Sequence, residues 1–133
     1  MIPTILAILA QGCSTDPSFP PPVISCSSPA IGNPWFLTYS GVPNGGTGGT
    51  ADCCVMIGMA APDAPPCSTI QPVATLAHWM PLRGNPVVVV MPAVPNDPAI
   101  RGLDVSVQAI VVGHLPGRPE PVALTNVSGF RIL

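Results

Sequence analysis

The apolar positions of this chain recur with a period of two through most of its length, and that spacing predicts β-strands. Residues 35–40 alternate, with Trp35, Leu37 and Tyr39 on one face and Thr38 and Ser40 on the other. Residues 103–112 do so more clearly: Leu103, Val105, Val107, Ala109 and Val111 are expected inward, Asp104, Ser106 and Gln108 outward. Residues 52–60 are apolar on both faces and predict a central strand, and 87–91 read as a buried β-branched run. With 23–27, 75–80 and 122–133 this gives about seven strands. Residues 44–50 and 62–66, rich in Gly and Pro respectively, and the turn Asn96-Asp97-Pro98 supply loops. Many short strands joined by tight turns predict an all-β fold, an antiparallel β-sandwich of jelly-roll type.

The start of the chain has a different pattern. Read as a strand, residues 2–10 carry Ile2, Leu6 and Ile8 on one face and Ile5, Ala7 and Leu9 on the other. Such a strand must be buried on both sides. Burying its Ile and Leu side chains contributes on the order of 8–15 kcal/mol gross, at about 1.5–3 each, much of it offset by the entropy of ordering. Ile2, Ile5, Leu6 and Leu9 also fit helical spacing, and the run ending at Cys13 resembles a signal-peptide core without a basic leader. Residues 14–23 are proline-rich and predict a stiff spacer of roughly 28 Å in the polyproline II conformation. The expected division is an N-terminal donor strand (1–13), a tether (14–23) and a β-sandwich domain (24–133). A body with an odd number of strands leaves an open sheet edge, which a neighbour's N-terminal strand can cover.

Composition narrows the function classes. Hydrophobic residues make up 47% of the chain and charged residues only 8%, with twenty prolines and thirteen glycines, which argues against long helices. Four arginines, no lysine and a net charge of −2 give no electrostatic footprint for nucleic acid. The absence of lysine also rules out lysine isopeptide cross-links. No apolar run reaches the roughly 20 residues of a membrane helix, so the chain is not expected to span a membrane.

Cys13, Cys26, Cys53, Cys54 and Cys67 suit an oxidising compartment, and the odd count leaves one thiol free or bonded to another chain. Cys53 and Cys54 point to opposite faces of a strand and should not share a partner. The preferred pairing is Cys13–Cys26, with Cys54 or Cys53 bonded to Cys67. Catalytic chemistry is poorly supplied: His78 and His114 lie in no nucleophile motif, and the acids fall mostly in turns. No enzyme activity, cofactor or metal site is expected, although Asp97 and Asp104 are the acids a calcium loop would draw on. Trp35, Tyr39 and Trp79 offer an aromatic platform for a sugar ring, against which core packing is favoured. Glycans attached at the sequon Asn126-Val127-Ser128, or at Thr47 and Thr50, would help so weakly charged a surface stay soluble.

Two resemblances follow from these residues. Residues 32–43 (Gly32 to Pro43), 55–59 (Val55 to Met59), Pro66-Cys67, 95–103 (Pro95 to Leu103), Val107-Gln108-Ala109 and Leu124-Thr125-Asn126 resemble secreted bacterial jelly-roll-like β-sandwich domains. The apolar start followed by a proline-rich segment is similar to the subunits of extracellular donor-strand fibrils. The first implies a secreted sandwich and little about chemistry. The second implies a cell-surface filament, a homopolymer built head to tail with Ile2, Ile5, Leu6, Ile8 and Leu9 as the donor strand. The alternative is a secreted lectin-like module that binds carbohydrate.

Overall fold

The computed structural model describes residues 12–16, 19–41, 50–59, 67, 69–82, 87–114, 117 and 120–133, with side-chain detail outside Thr50, Met59 and residues 71–82. The strands are β1 (Cys13–Ser14), β2 (Val23–Cys26), β3 (Trp35–Ser40), β4 (Thr50–Met59), β5 (Gln71–Leu82), β6 (Val87–Met91), β7 (Asp104–His114), β8 (Val122–Leu124) and β9 (Ser128–Arg131). They form two antiparallel sheets of a β-sandwich. The larger sheet runs β1-β8-β7-β4-β5, with β9 also on β7, and the smaller runs β2-β3-β6. Strands β8 and β9 are two halves of one interrupted strand along the same side of β7, pairing with Ile110–Val112 and Asp104–Val107 respectively. Counted so, the described residues hold eight strands rather than about seven, the addition being β1.

The interruption between β8 and β9 is bridged by side chains. Thr125 Oγ1 accepts the Ala109 N–H at 2.9 Å, while the Thr125 N–H reaches the Ala109 carbonyl at 3.0 Å. The side chain thus stands in for a ladder carbonyl where the backbone turns away. No helix among the described residues is long and apolar enough to cross a membrane.

The core lies between the sheets and follows the alternation. Trp35, Leu37 and Tyr39 enter it from β3, and Val107, Ala109 and Val111 from β7, each at most 3% exposed. Trp35 packs on Phe130 with ring centroids 4.9 Å apart. Strand β4 is central, between β5 and β7, as its two apolar faces require. Three expectations are corrected. Leu103 is exposed rather than inward. Gln108 is buried rather than outward, because Ile70 covers it and donates its N–H to Oε1. In β6 the side chains alternate, leaving Val88 and Val90 exposed, so it is not a buried run, and the sheet order places it at an edge.

The proline-rich segment is also corrected: its described part is no free spacer. Cys13 and Ser14 pair with Leu124 and Ala123 of β8, and Thr15 exchanges hydrogen bonds with Val122 through its N–H and its Oγ1. Phe19 is 0% exposed within the core, Pro22 is fully buried, and Val23 begins β2. A Cβ on Gly113 would lie 2.9 Å from the Phe19 ring, so glycine there lets the ring sit against β7. One aromatic residue therefore anchors a stretch whose prolines suggest an extended linker. Residues 2–10 lie outside the described residues.

Candidate assembly edge

The two sides of the sandwich differ. On one side the sheets are tied together. Asn126, in the break between β8 and β9, accepts the Ile24 N–H through Oδ1 at 2.7 Å and donates Nδ2–H to the Ile24 carbonyl at 3.1 Å. This side-chain amide imitates a neighbouring strand and caps β2, the edge of the small sheet. Next to it, Cys26 Sγ lies 3.4 Å from Ser128 Oγ. The sequon asparagine is thus a clamp, its amide nitrogen committed to a backbone carbonyl. Thr47 lies outside the described residues, and Thr50 opens β4 with its backbone paired to His114.

The opposite side carries β5 and β6, joined by residues 83–86. Among the described residues each pairs with one neighbour, β5 with β4 and β6 with β3. Pro72 and Pro81 confine β5 to an edge and remove two of its donors. Strand β6 contains no proline and is the more receptive edge. It is bordered by apolar side chains on both faces. Val87 and Val89 are half-buried at the margin of the core. Phe36, Val88 and Val90 are 45%, 60% and 65% exposed, with Phe36 opposite Val90 in the ladder.

The N-terminal segment departs from the far side. At Gly12 any Cβ would run into the Leu124 carbonyl, so the chain is pressed against β8 there. The large sheet places β1 and β5 at its two ends, four strand spacings or roughly 19 Å apart.

Chemistry-bearing residues outside this edge have local tasks. His114 stands between two carboxylates, with Nε2 2.6 Å from Asp52 Oδ2 and Nδ1 3.3 Å from Glu120 Oε2. The two acids approach opposite ring nitrogens, so the three groups cannot converge on one metal ion. This cluster has no signal in the chain's local pattern, because it depends on the β4–β7 register that sets Thr50 opposite His114 and Asp52 opposite Val112. Asp97 caps a 3-10 turn by accepting the Ala99 N–H, and Asp104 holds Arg131 through both carboxylate oxygens. That contact with Arg131 pulls the Asp104 carboxyl below its ordinary value. The pair borders a shallow cleft of about 460 Å³ that also includes Ser28 and Ser106. Trp35 and Tyr39 are core residues and present no platform for a sugar, while the His78 and Trp79 side chains lie outside the described detail.

All five cysteines are thiols. Neither expected disulfide is present, because Cys26 faces Ser128 and Cys53 receives the Tyr39 hydroxyl at 3.2 Å. Cys54 is buried on the other face of β4. Burial is the main cause that pushes the Cys26 and Cys53 thiols, and the Tyr39 phenol, above their ordinary values. No family model, curated protein or solved structure matches the chain.

Proposed function

We propose that the chain is a structural subunit of an extracellular filament, a jelly-roll-like sandwich that polymerises head to tail. Residues 2–10 of one copy add a strand to the β6 edge of the next. The observation that carries this reading is the separation between the point where the N-terminal segment leaves and the edge that stands open. Only Gln11 and Gly12 lie between Ala10 and Cys13, so Ala10 sits within about 10 Å of β1 even in a fully extended chain. The open β5 and β6 edges belong to the far side, roughly 19 Å away across the large sheet alone. A donor strand ending at Ala10 therefore cannot serve its own β6. A contact between unlike surfaces that does not close on itself runs on as a filament.

Side-chain character supports the same pairing. A strand that is apolar on both faces matches an edge bordered by Val87 and Val89 on one face and by Phe36, Val88 and Val90 on the other. The closed β2 side directs growth to one edge, since Asn126 already occupies the hydrogen-bonding groups of Ile24. Low charge and abundant cysteine fit a secreted protein.

Negative-stain imaging and sedimentation of the full chain beside a chain lacking residues 1–12 test the proposal. Fibres from the first and folded monomers from the second are expected. Monomers from both, or fibres from both, would overturn it.

A further inference from the structure

Where β7 and β9 pair, the large sheet borders the cleft of about 460 Å³. Phe130 is buried in the core, so its neighbours Gly129 and Arg131 turn outward, and the register sets Asp104 beside Arg131. The polar groups are held in advance of any ligand. Arg131 Nε donates to Asp104 Oδ1 at 2.9 Å and Nη2 to Oδ2 at 3.2 Å, a two-point contact that fixes both side chains. It leaves Arg131 Nη1 without a partner among the described residues, and each carboxylate oxygen keeps a lone pair. Ser28, on the chain leaving β2, bounds the cleft from the other side. Its Oγ accepts the Arg131 N–H at 3.4 Å and keeps its own hydroxyl hydrogen to donate. Gly129 carries no side chain and leaves the floor open, and Val105 and Phe130 add apolar surface.

These features select a ligand class. Asp104 and Arg131 cancel in charge, so the cleft favours neither an anion nor a cation. A shallow cleft shields too little surface to hold a purely apolar compound. Acceptors and donors fixed side by side suit neighbouring hydroxyl groups, each of which both donates and accepts. A sugar ring carries hydroxyls at its edge and C–H groups on its face, which matches the mixed lining. We propose that the cleft binds a neutral saccharide, as one or two units of a longer chain. Asp104 accepts from the sugar hydroxyls, Arg131 Nη1 and the Ser28 hydroxyl donate to them, and the C–H face covers the apolar part of the lining. The site belongs to the single chain and does not depend on assembly. It lies on the β8–β9 side of β7, away from β5, so strand addition at β6 would leave it open. Weak sites repeated along a filament would then act together.

The test passes the full chain over beads carrying glucan, mannan, galactan or chitin oligosaccharides, with sulfated dextran beads alongside. Retention on at least one uncharged bead type is expected, with release by the matching soluble oligosaccharide. Arg131→Gln and Asp104→Asn should each weaken retention at least about tenfold, because each removes a charged hydrogen-bonding partner of the sugar. Both side chains are well exposed, at 64% and 70%, so neither variant should shift the urea midpoint appreciably. Arg101→Gln removes an exposed arginine outside the cleft and should leave retention unchanged. Retention on none of the uncharged beads, equal retention of both cleft variants, or capture by sulfated dextran alone would overturn the proposal.

Discussion

Phe19 shows how much one side chain decides in a segment that otherwise resembles a linker. Its ring is fully buried and needs the bare backbone of Gly113 beneath it. Phe19→Ala should therefore cost about 3–5 kcal/mol, read as a lower urea midpoint; a neutral result would mean the segment does not pack on its domain. Asn126 matters in another way, by supplying both hydrogen bonds that the Ile24 backbone lacks on the outer side of β2. Asn126→Ala leaves an N–H and a carbonyl of Ile24 without that partner, at a cost of about 1–3 kcal/mol. Asn126→Asp keeps the acceptor alone and should fall between. The buried acids add a pH signature. Cys26, Cys53 and Tyr39 all ionise less readily in the folded chain than in the unfolded one, mainly through burial. Their contribution is complete below the ordinary thiol value of 9.0 and is lost as pH rises beyond it, because the unfolded chain releases its protons first. The urea midpoint should hold steady to about pH 8 and fall above 9, whereas a rise there would contradict the burial of these groups.

Among the elements, β6 carries the assembly proposal. Val90 is exposed on the outer face of the edge strand, so Val90→Lys should change monomer stability by no more than about 0.5 kcal/mol. The same lysine guards the edge and should abolish or long delay sedimenting species. Fibres at the original rate would place the contact elsewhere. The strands themselves were largely legible in the sequence, and the reasons vary from one to another. In β3 and β7 a strict alternation around Trp35, Leu37 and Tyr39, and around Val107, Ala109 and Val111, named the buried face correctly. In β6 a run of valines carries no such information, since every position is apolar, and only the sheet order reveals an edge. Gln108 looked solvent-facing because its cover comes from Ile70, a long-range contact without a local signal. The His114 cluster was hidden for the same reason, as it depends on which strands become neighbours.

At the scale of the whole molecule, Asn126 ties the two sheets on one side while β5 and β6 stand as edges on the other, and the N-terminal segment leaves from β1, the end of the large sheet on the tied side. That asymmetry, more than any single contact, is what the head-to-tail proposal rests on. The most direct test is residue-resolved amide exchange on the full chain across a range of concentrations, alongside the chain lacking residues 1–12. Amides of residues 2–10 and of Val87–Met91 should gain protection together, only where sedimenting species form, and Val87–Met91 of the shortened chain should never gain it. Protection of residues 2–10 in the dilute monomer, with Val87–Met91 unchanged at every concentration, would contradict the account and mean that the segment prolongs β1 on its own sheet.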